Sequence, residues 1–326
     1  SNENPLGPSK AVLDAISSTK DLSRYPDGNG FYLKKKLAEK HNVSVENITL
    51  GNGSNDILEM AAHAFVTNKH EVIYSKHSFA VYPIVTQAVG AKHVITQAIE
   101  WGHDLDAMLA SVNNSTRLMF IANPNNPTGT WVDKNNLRNL LEKIPSHVIV
   151  LVDEAYFEYA KIEEGYPNCS SWINEFHNLI VTRTFSKAYG LAALRIGYSL
   201  SHSKIADLLN RVRQPFNNNS LALVAAEVAL RDSEYIESSI KLNQSGMKQL
   251  TQAFDNMGLE YIPSKGNFMC VNFKQPAIGI YENLLKGGVI VRPISDYDMP
   301  NHLRITIGLE HENTKFIEEL EKIMTK

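Results

Sequence analysis

Lys187 directly follows Ser186 after the apolar run 178–182, sits among small residues, and has Arg195 eight positions on. An ammonium group at the end of a buried strand is costly unless something uses its charge. Partial burial also lowers an amine's pKa and makes it a better nucleophile, which is the chemistry of Schiff-base lysines. An arbitrary Ser-Lys pair is more often a solvated loop, so the decision rests on what other segments bring to the same place.

Gly51-Asn52-Gly53-Ser54-Asn55 joins an apolar stretch to an amphipathic one. Two glycines let backbone approach a ligand, and a helix N-terminus favours an anion such as phosphate. Asp56 stands where a dinucleotide fingerprint needs its third glycine. The same residues would also serve as an ordinary strand–helix turn. Asn123-Pro124-Asn125-Asn126-Pro127-Thr128-Gly129-Thr130 is a rigid turn. It is able to present Asn126 to the hydroxyl of a planar aromatic ligand, or it is only a turn. Asp153-Glu154-Ala155-Tyr156 ends the apolar run 148–152. An acid there either caps the next helix or partners a buried cation. Ser186 and Arg195 are able to hold phosphate, the guanidinium supplying a fork. Each segment is ambiguous alone. Together they give a lysine amine, an aspartate, an asparagine, a tyrosine and a phosphate cradle. Pyridoxal phosphate requires that set: a lysine for its aldehyde, an acid for its ring nitrogen, donors to its hydroxyl and a dipole-rich phosphate site.

The elements that must position these residues follow from hydrophobic periodicity. Apolar runs predict strands over 48–50, 72–74, 93–96, 117–122, 148–152, 179–182 and 196–200. Between them lie amphipathic stretches, such as Leu58, Ala61, Ala62 and Phe65, or Leu137, Leu140, Leu141 and Ile144. Strands alternating with such helices predict an α/β domain, a seven-stranded mostly parallel sheet sandwiched by helices. The four turns then sit at carboxyl ends of strands, where open α/β sheets bind ligands. A helix-rich stretch to about 257 is followed by short strands at 259–262, 268–273, 289–291 and 303–307. Helices at 277–286 and from 312 accompany them. The expected division is an N-terminal segment over 1–23 packing on the small domain, a large domain over 24–235, and a small α+β domain over 236–326.

The totals narrow the class. The 326 residues carry a net charge of -3, which gives no electrostatic footprint for nucleic acid or an acidic membrane. Two cysteines, Cys169 and Cys270, make no disulfide framework, and the histidines show no metal-ligand spacing. No apolar run approaches ~18 residues, and the reading expects no signal peptide. A cytoplasmic protein with no metal, nucleic-acid or membrane partner is expected.

The motifs resemble fold-type-I aminotransferases of the histidinol-phosphate aminotransferase group. The matching words are Asn2-Glu3-Asn4-Pro5-Leu6-Gly7-Pro8, Arg24-Tyr25-Pro26-Asp27-Gly28, Gly51-Asn52-Gly53-Ser54-Asn55-Asp56 and Asn125-Asn126-Pro127-Thr128-Gly129. After them come Asp153-Glu154-Ala155-Tyr156, the stretch from Arg183 to Ala192, and Leu303-Arg304-Ile305-Thr306-Ile307-Gly308. They occur in the family's order across nearly the whole chain. Family members usually carry a segment ahead of the Asn-Glu-Asn-Pro word that helps close the site.

The resemblance implies pyridoxal 5'-phosphate as cofactor, Lys187 as its Schiff-base lysine and general base, and Asp153 as partner of the ring nitrogen. It implies Asn126 and Tyr156 at the ring hydroxyl, and Ser54, Asn55, Ser186 and Arg195 at the phosphate. Phe79 falls where the family often has a tyrosine stacked on the ring. Tyr25 resembles a residue that reaches the other subunit's cofactor, which implies a homodimer. Arg304 and Arg292 resemble anion contacts to substrate, with Asn126 beside them. The implied reaction is transamination between histidinol phosphate and 2-oxoglutarate, giving imidazole acetol phosphate and glutamate in histidine biosynthesis. Aromatic walls from Phe79, Tyr25 and Phe216 leave phenylalanine or tyrosine as the alternative substrate. A decarboxylase on the same scaffold is a further alternative. A nicotinamide-dependent reductase would leave Lys187 and Asp153 idle, and a cofactor-binding sensor would want a DNA-binding segment.

Overall fold

The computed structural model describes residues 2–325; Ser1 and Lys326, the outermost residues of the expected terminal segments, lie outside it. Nine strands come from the first two-thirds of the chain. They are β1 (Ile48–Gly51), β2 (Glu71–Ser75), β3 (Lys92–Thr96), β4 (Ala98–Ile99), β5 (Gly102–His103), β6 (Thr116–Ala122), β7 (Ile149–Asp153), β8 (Leu179–Thr184) and β9 (Gly197–Ser201). β4 and β5 make a separate ribbon, and the other seven form one sheet ordered β1-β9-β8-β7-β6-β2-β3. β3, β2, β6, β7 and β8 are mutually parallel, while β9 runs antiparallel to both of its neighbours, β8 and β1. β1 therefore points the same way as β8, and the carboxyl ends of β1, β6, β7 and β8 share one edge.

Period-two alternation divides the central strands between two cores. Val150, Val152 and Val181 pack with Leu137, Leu140 and Leu141 on one face. Leu151 and Ile180 pack with Ile57, Leu58 and Phe120 on the other. Every residue of β1, β7, β8 and β9 is buried, the signature of a sheet covered on both sides.

A second sheet is entirely antiparallel, ordered β10-β11-β13-β12, from β10 (Glu260–Ile262), β11 (Phe268–Asn272), β12 (Arg292–Pro293) and β13 (His302–Thr306). The strand predicted at 289–291 does not form. Val289 and Val291 pack on the small core from irregular backbone, and Ile290 is exposed. Pairing is limited to Arg292 and Pro293, and a proline has no N–H with which to extend a ladder.

The helix Ser233–Asn256 ties the two bodies together. Ile236 and Ile240 in its first turns join the large core, while Leu250 and Phe254 in its last turns join the small one. The sequence reading expects the N-terminal segment on the small domain, but its helix packs on the large core. That helix, Lys10–Ser18, capped by Ser9, buries Val12 in the large core and packs against the helix Ser220–Ala229. Residues 2–3 reach the small body, through Asn2 N–H to Thr306 Oγ1 and Asn267 Nδ2 to both carbonyls. Among the described residues no helix is long and apolar enough to cross a membrane, and no group of three His, Cys, Asp or Glu is placed to hold a metal ion.

Candidate active site

The shared strand edge carries a cavity lined by Ser54, Asn55, Phe79, Ala122, Pro124, Asn126, Asp153, Ala155, Tyr156, Thr184, Ser186, Lys187 and Arg195. Nine residues expected at a cofactor from the sequence thus line one space.

Its floor is Asp153, last residue of β7 and 4% exposed. Burial pushes its carboxyl up to about 6, against hydrogen bonds from Thr182, Tyr82 and the Ala155 N–H that favour the anion. Thr182 Oγ1 donates to Oδ1 at 2.9 Å, and the Tyr82 hydroxyl donates to Oδ2 at 3.2 Å. Asp153 does not cap the following helix, Phe157–Ala160, whose cap position is Tyr156 and carries no side-chain cap bond.

Lys187 stands across from it on the turn after β8, its Nζ 5.7 Å from the centre of the Tyr156 ring. Burial and then the positive charges of Arg304 and Arg195 lower its pKa to about 8, while Asp153 works the other way. A substantial fraction of this amine is therefore neutral at mildly alkaline pH. Tyr156 is 3% exposed, and burial raises its phenol to about 12, opposed by Arg304 and by Asn2. Asn2 Nδ2 donates to the Tyr156 hydroxyl at 3.1 Å.

One end of the cavity is built for an anion. The helix Ser54–Phe65 opens there, and the first N–H groups of a helix lack intrahelical acceptors. Arg195 Nη1 donates to Ser186 Oγ at 3.3 Å. A side chain at Gly53 would be strained by its φ of +80° and would displace the Arg195 guanidinium, whose Nη2 lies 2.4 Å from where a Cβ would sit. Gly197, across the sheet from Gly51, leaves room for the helix start; a Cβ there would lie 2.5 Å from Ser54 N.

The substrate side is held by Arg304 of β13, 5% exposed, whose Nη1 donates to Asn126 Oδ1. Asn126 sits between two cis prolyl bonds, Asn123-Pro124 and Asn126-Pro127. Asn125 anchors that turn by donating to the His77 carbonyl at 2.9 Å and to Thr128 Oγ1 at 2.8 Å. Phe79 is part of the apolar wall and lies edge-on to Tyr82 at 5.8 Å.

Three expected residues lie elsewhere. Tyr25 is 81% exposed and stacks on the exposed Phe216 at 4.6 Å, so neither ring walls this chain's own cavity. Arg292 pairs in register with Arg304 but lies on the two-residue edge strand β12, where its side chain is exposed. Sequence reading missed Tyr82, Thr182, Thr184, Asn2 and Gly197. The i, i+3 spacing of Phe79 and Tyr82 was a readable signal for the first; the others depend on strand pairing or on contacts distant in sequence.

The chain matches the family described as aminotransferase class I and II over residues 1–320. It is 56% identical over 327 residues to histidinol-phosphate aminotransferase 2 of Pseudomonas fluorescens (strain Pf0-1), covering 100% of this chain and 88% of that protein. Histidinol-phosphate aminotransferase 1 of Idiomarina loihiensis is 54% identical, covering 99% of this chain and 88% of its own length. The solved structure of histidinol-phosphate aminotransferase from Sinorhizobium meliloti, in complex with pyridoxal-5'-phosphate, superposes with a TM-score of 0.94 at 28% identity. That match covers 100% of this chain and 90% of the other.

Proposed function

The chain belongs to the class I and II aminotransferases, and on that premise we propose that it transfers the amino group of histidinol phosphate to 2-oxoglutarate with pyridoxal phosphate as cofactor. The observation that carries this reading is the single cavity joining the Lys187 amine, the buried Asp153 carboxylate and the Gly53–Arg195 cradle.

The residues present fit that cofactor. A phosphate suits the start of the helix Ser54–Phe65 with Ser54, Asn55, Ser186 and Arg195 around it. A protonated ring nitrogen suits Asp153, whose hydrogen-bond partners are neutral. Asn126 and Tyr156 serve the ring hydroxyl, and Phe79 and Ala155 supply apolar lining. When bound, pyridoxal phosphate supplies an aldehyde that condenses with amines and a ring that spreads the charge left by deprotonation.

The chain's own residues do the rest. Lys187 acts as nucleophile and then as proton carrier, tasks suited to an amine with pKa lowered to about 8. Asp153 keeps a charge at the cavity floor. Arg304, fixed by Asn126, grips an anionic group of substrate. The exposure of Tyr25, outside its own cavity, supports a role for it at a second copy's site in a homodimer. We divide the chain into residues 24–235 and 236–326; the two ends of the helix Ser233–Asn256 join different cores, which supports a boundary there. We place the enzyme in the cytoplasm, since Cys169 and Cys270 are both free thiols.

The test is a comparison of kcat/KM for histidinol phosphate and for phenylalanine, with 2-oxoglutarate as acceptor. Preference for histidinol phosphate is expected; an about tenfold preference for phenylalanine would overturn the substrate assignment. Borohydride treatment of the cofactor-loaded protein should leave the added mass on the Lys187 peptide.

A further inference from the structure

We propose that Tyr82 and Thr182 are positioning residues that fix the Asp153 carboxylate, one hydroxyl on each oxygen, as the anionic partner of a protonated ring nitrogen. This rests on the role given to Asp153 above and extends it to two side chains that have had none.

Three observations carry it. First, the two donors divide the carboxylate between them: Thr182 Oγ1 binds Oδ1 at 2.9 Å and the Tyr82 hydroxyl binds Oδ2 at 3.2 Å. Second, neither donor is free to move. Thr182 is placed by register, because parallel pairing sets it directly opposite Asp153 on β8. Tyr82 is fully buried, its ring stacked on Phe120 at 4.5 Å and 3° and met edge-on by Phe79 at 5.8 Å. A side chain so held has no second rotamer to offer. Third, both donors are neutral. An arginine or lysine in their place would cancel the charge of Asp153; hydroxyls stabilise that charge and leave it for a cationic ligand.

The titratable groups around Asp153 come from three places: Tyr82 on the helix Val81–Ala88, Glu154 and Tyr156 beyond β7, and Lys187 beyond β8. Burial pulls Asp153 toward its neutral form, and the two hydroxyls pull it back. A neutral acid cannot partner a pyridinium. Removing either hydroxyl must therefore raise the pH at which Asp153 becomes competent.

The experiment measures pyridoxal phosphate affinity by equilibrium dialysis from about pH 5 to pH 9. Lys187→Ala is the common background, so that covalent capture and the titration of Lys187 drop out. The cofactor's own titrations are shared by every protein compared. Tyr82→Phe and Thr182→Val should each move the acid limb of the affinity curve up by about one pH unit, weakening binding about tenfold near pH 5 and about twofold at pH 7. Thr182→Ser, which keeps a hydroxyl, should restore the parent curve. Thermal unfolding of each protein without cofactor checks the fold; Tyr82→Phe keeps the stacked ring. If both hydroxyl-deleted curves overlay the parent while Asp153→Asn weakens binding, this inference is wrong and the cofactor assignment stands. If Asp153→Asn also changes nothing, or the unmodified chain binds no pyridoxal phosphate, the functional reading itself falls.

Discussion

Asp153 and Glu154 are consecutive carboxylates at the carboxyl end of β7, and because side chains alternate along an extended chain they enter opposite faces of the sheet. The next strand alternates in step. Thr182 meets Asp153, while Arg183 meets Glu154 through Nε at 2.9 Å and Nη2 at 2.8 Å. On the Glu154 side charge is closed within the protein. Oε1 takes the Cys169 N–H at 3.1 Å, Arg183 also donates to Asn168, and its guanidinium lies 3.3 Å from the centre of the Phe157 ring. On the Asp153 side the bonded partners are hydroxyls and a backbone N–H, and burial leaves the carboxyl at about 6. One face spends its carboxylate on the fold. The other keeps it available to a ligand that brings positive charge. The contrast separates a structural from a functional buried acid by the charge of its partners, since both are equally buried.

The largest effect should come from the functional face. Lys187→Ala should lower transamination at least about a thousandfold, through loss of both nucleophile and proton carrier. The folded state should survive, and far-ultraviolet circular dichroism of the variant checks this. A variant retaining a tenth of the activity would move the reacting amine elsewhere and dissolve the comparison.

Asp153→Asn comes next, with a fall of about 10²–10³ in kcat. Its stability effect should have the opposite sign. The folded carboxyl titrates at about 6 against an ordinary 3.8, so the folded chain binds the proton more tightly than the unfolded chain. Stability therefore falls as pH rises from about 4 to 6, and the full penalty persists above that window. The asparagine variant without cofactor should be more stable than the unmodified chain at pH 8, by on the order of 2–3 kcal/mol. The gain should vanish near pH 4. Urea midpoints at the two pH values measure this, and equal midpoints at pH 8 would contradict the assignment of an unneutralised acid.

Glu154→Gln should do the reverse. It leaves the Arg183 charge buried without its anion, at a cost of about 3–5 kcal/mol. The kcat per folded molecule should change by less than about threefold, because no atom of Glu154 lines the cavity. A variant of full stability and lost activity would show the two faces to be coupled.

The sequence carried much of this geometry because four polar turns end four apolar runs, and a mostly parallel sheet gathers such ends. Lys187, Asp153, Asn126, Tyr156, Ser54 and Arg195 were readable for that reason. Thr182 was not, since its meeting with Asp153 depends on strand order and register, which hydrophobic period does not encode. Asn2 reaches Tyr156 across 154 residues, a contact no local pattern announces. The strand expected at 289–291 failed because a β-branched apolar run fits equally well on irregular backbone over a core. Phe216 and Tyr25 were read as aromatic walls for the alternative substrate, and their stacking on each other leaves both outside this chain's own cavity.

The smallest effect concerns Phe79, where the family resemblance suggested a tyrosine. Its ring belongs to the apolar wall and touches Tyr82 edge-on, so its contribution is contact area and quadrupole rather than a hydrogen bond. Phe79→Tyr keeps both and adds one hydroxyl. A single new neutral hydrogen bond is worth about 1 kcal/mol net, and an exposed hydroxyl in the cavity is worth less. Cofactor affinity and kcat/KM should therefore shift by no more than about fivefold in either direction. The variant also tests the clamp, because Phe79 is one of the two rings that hold Tyr82 in place. A change well beyond fivefold, together with an upward shift in the pH at which cofactor binds, would mean that the substitution reaches Asp153 through Tyr82. The wall would then be coupled to the carboxylate, and the functional face would extend one residue further into the core than its hydrogen bonds alone indicate.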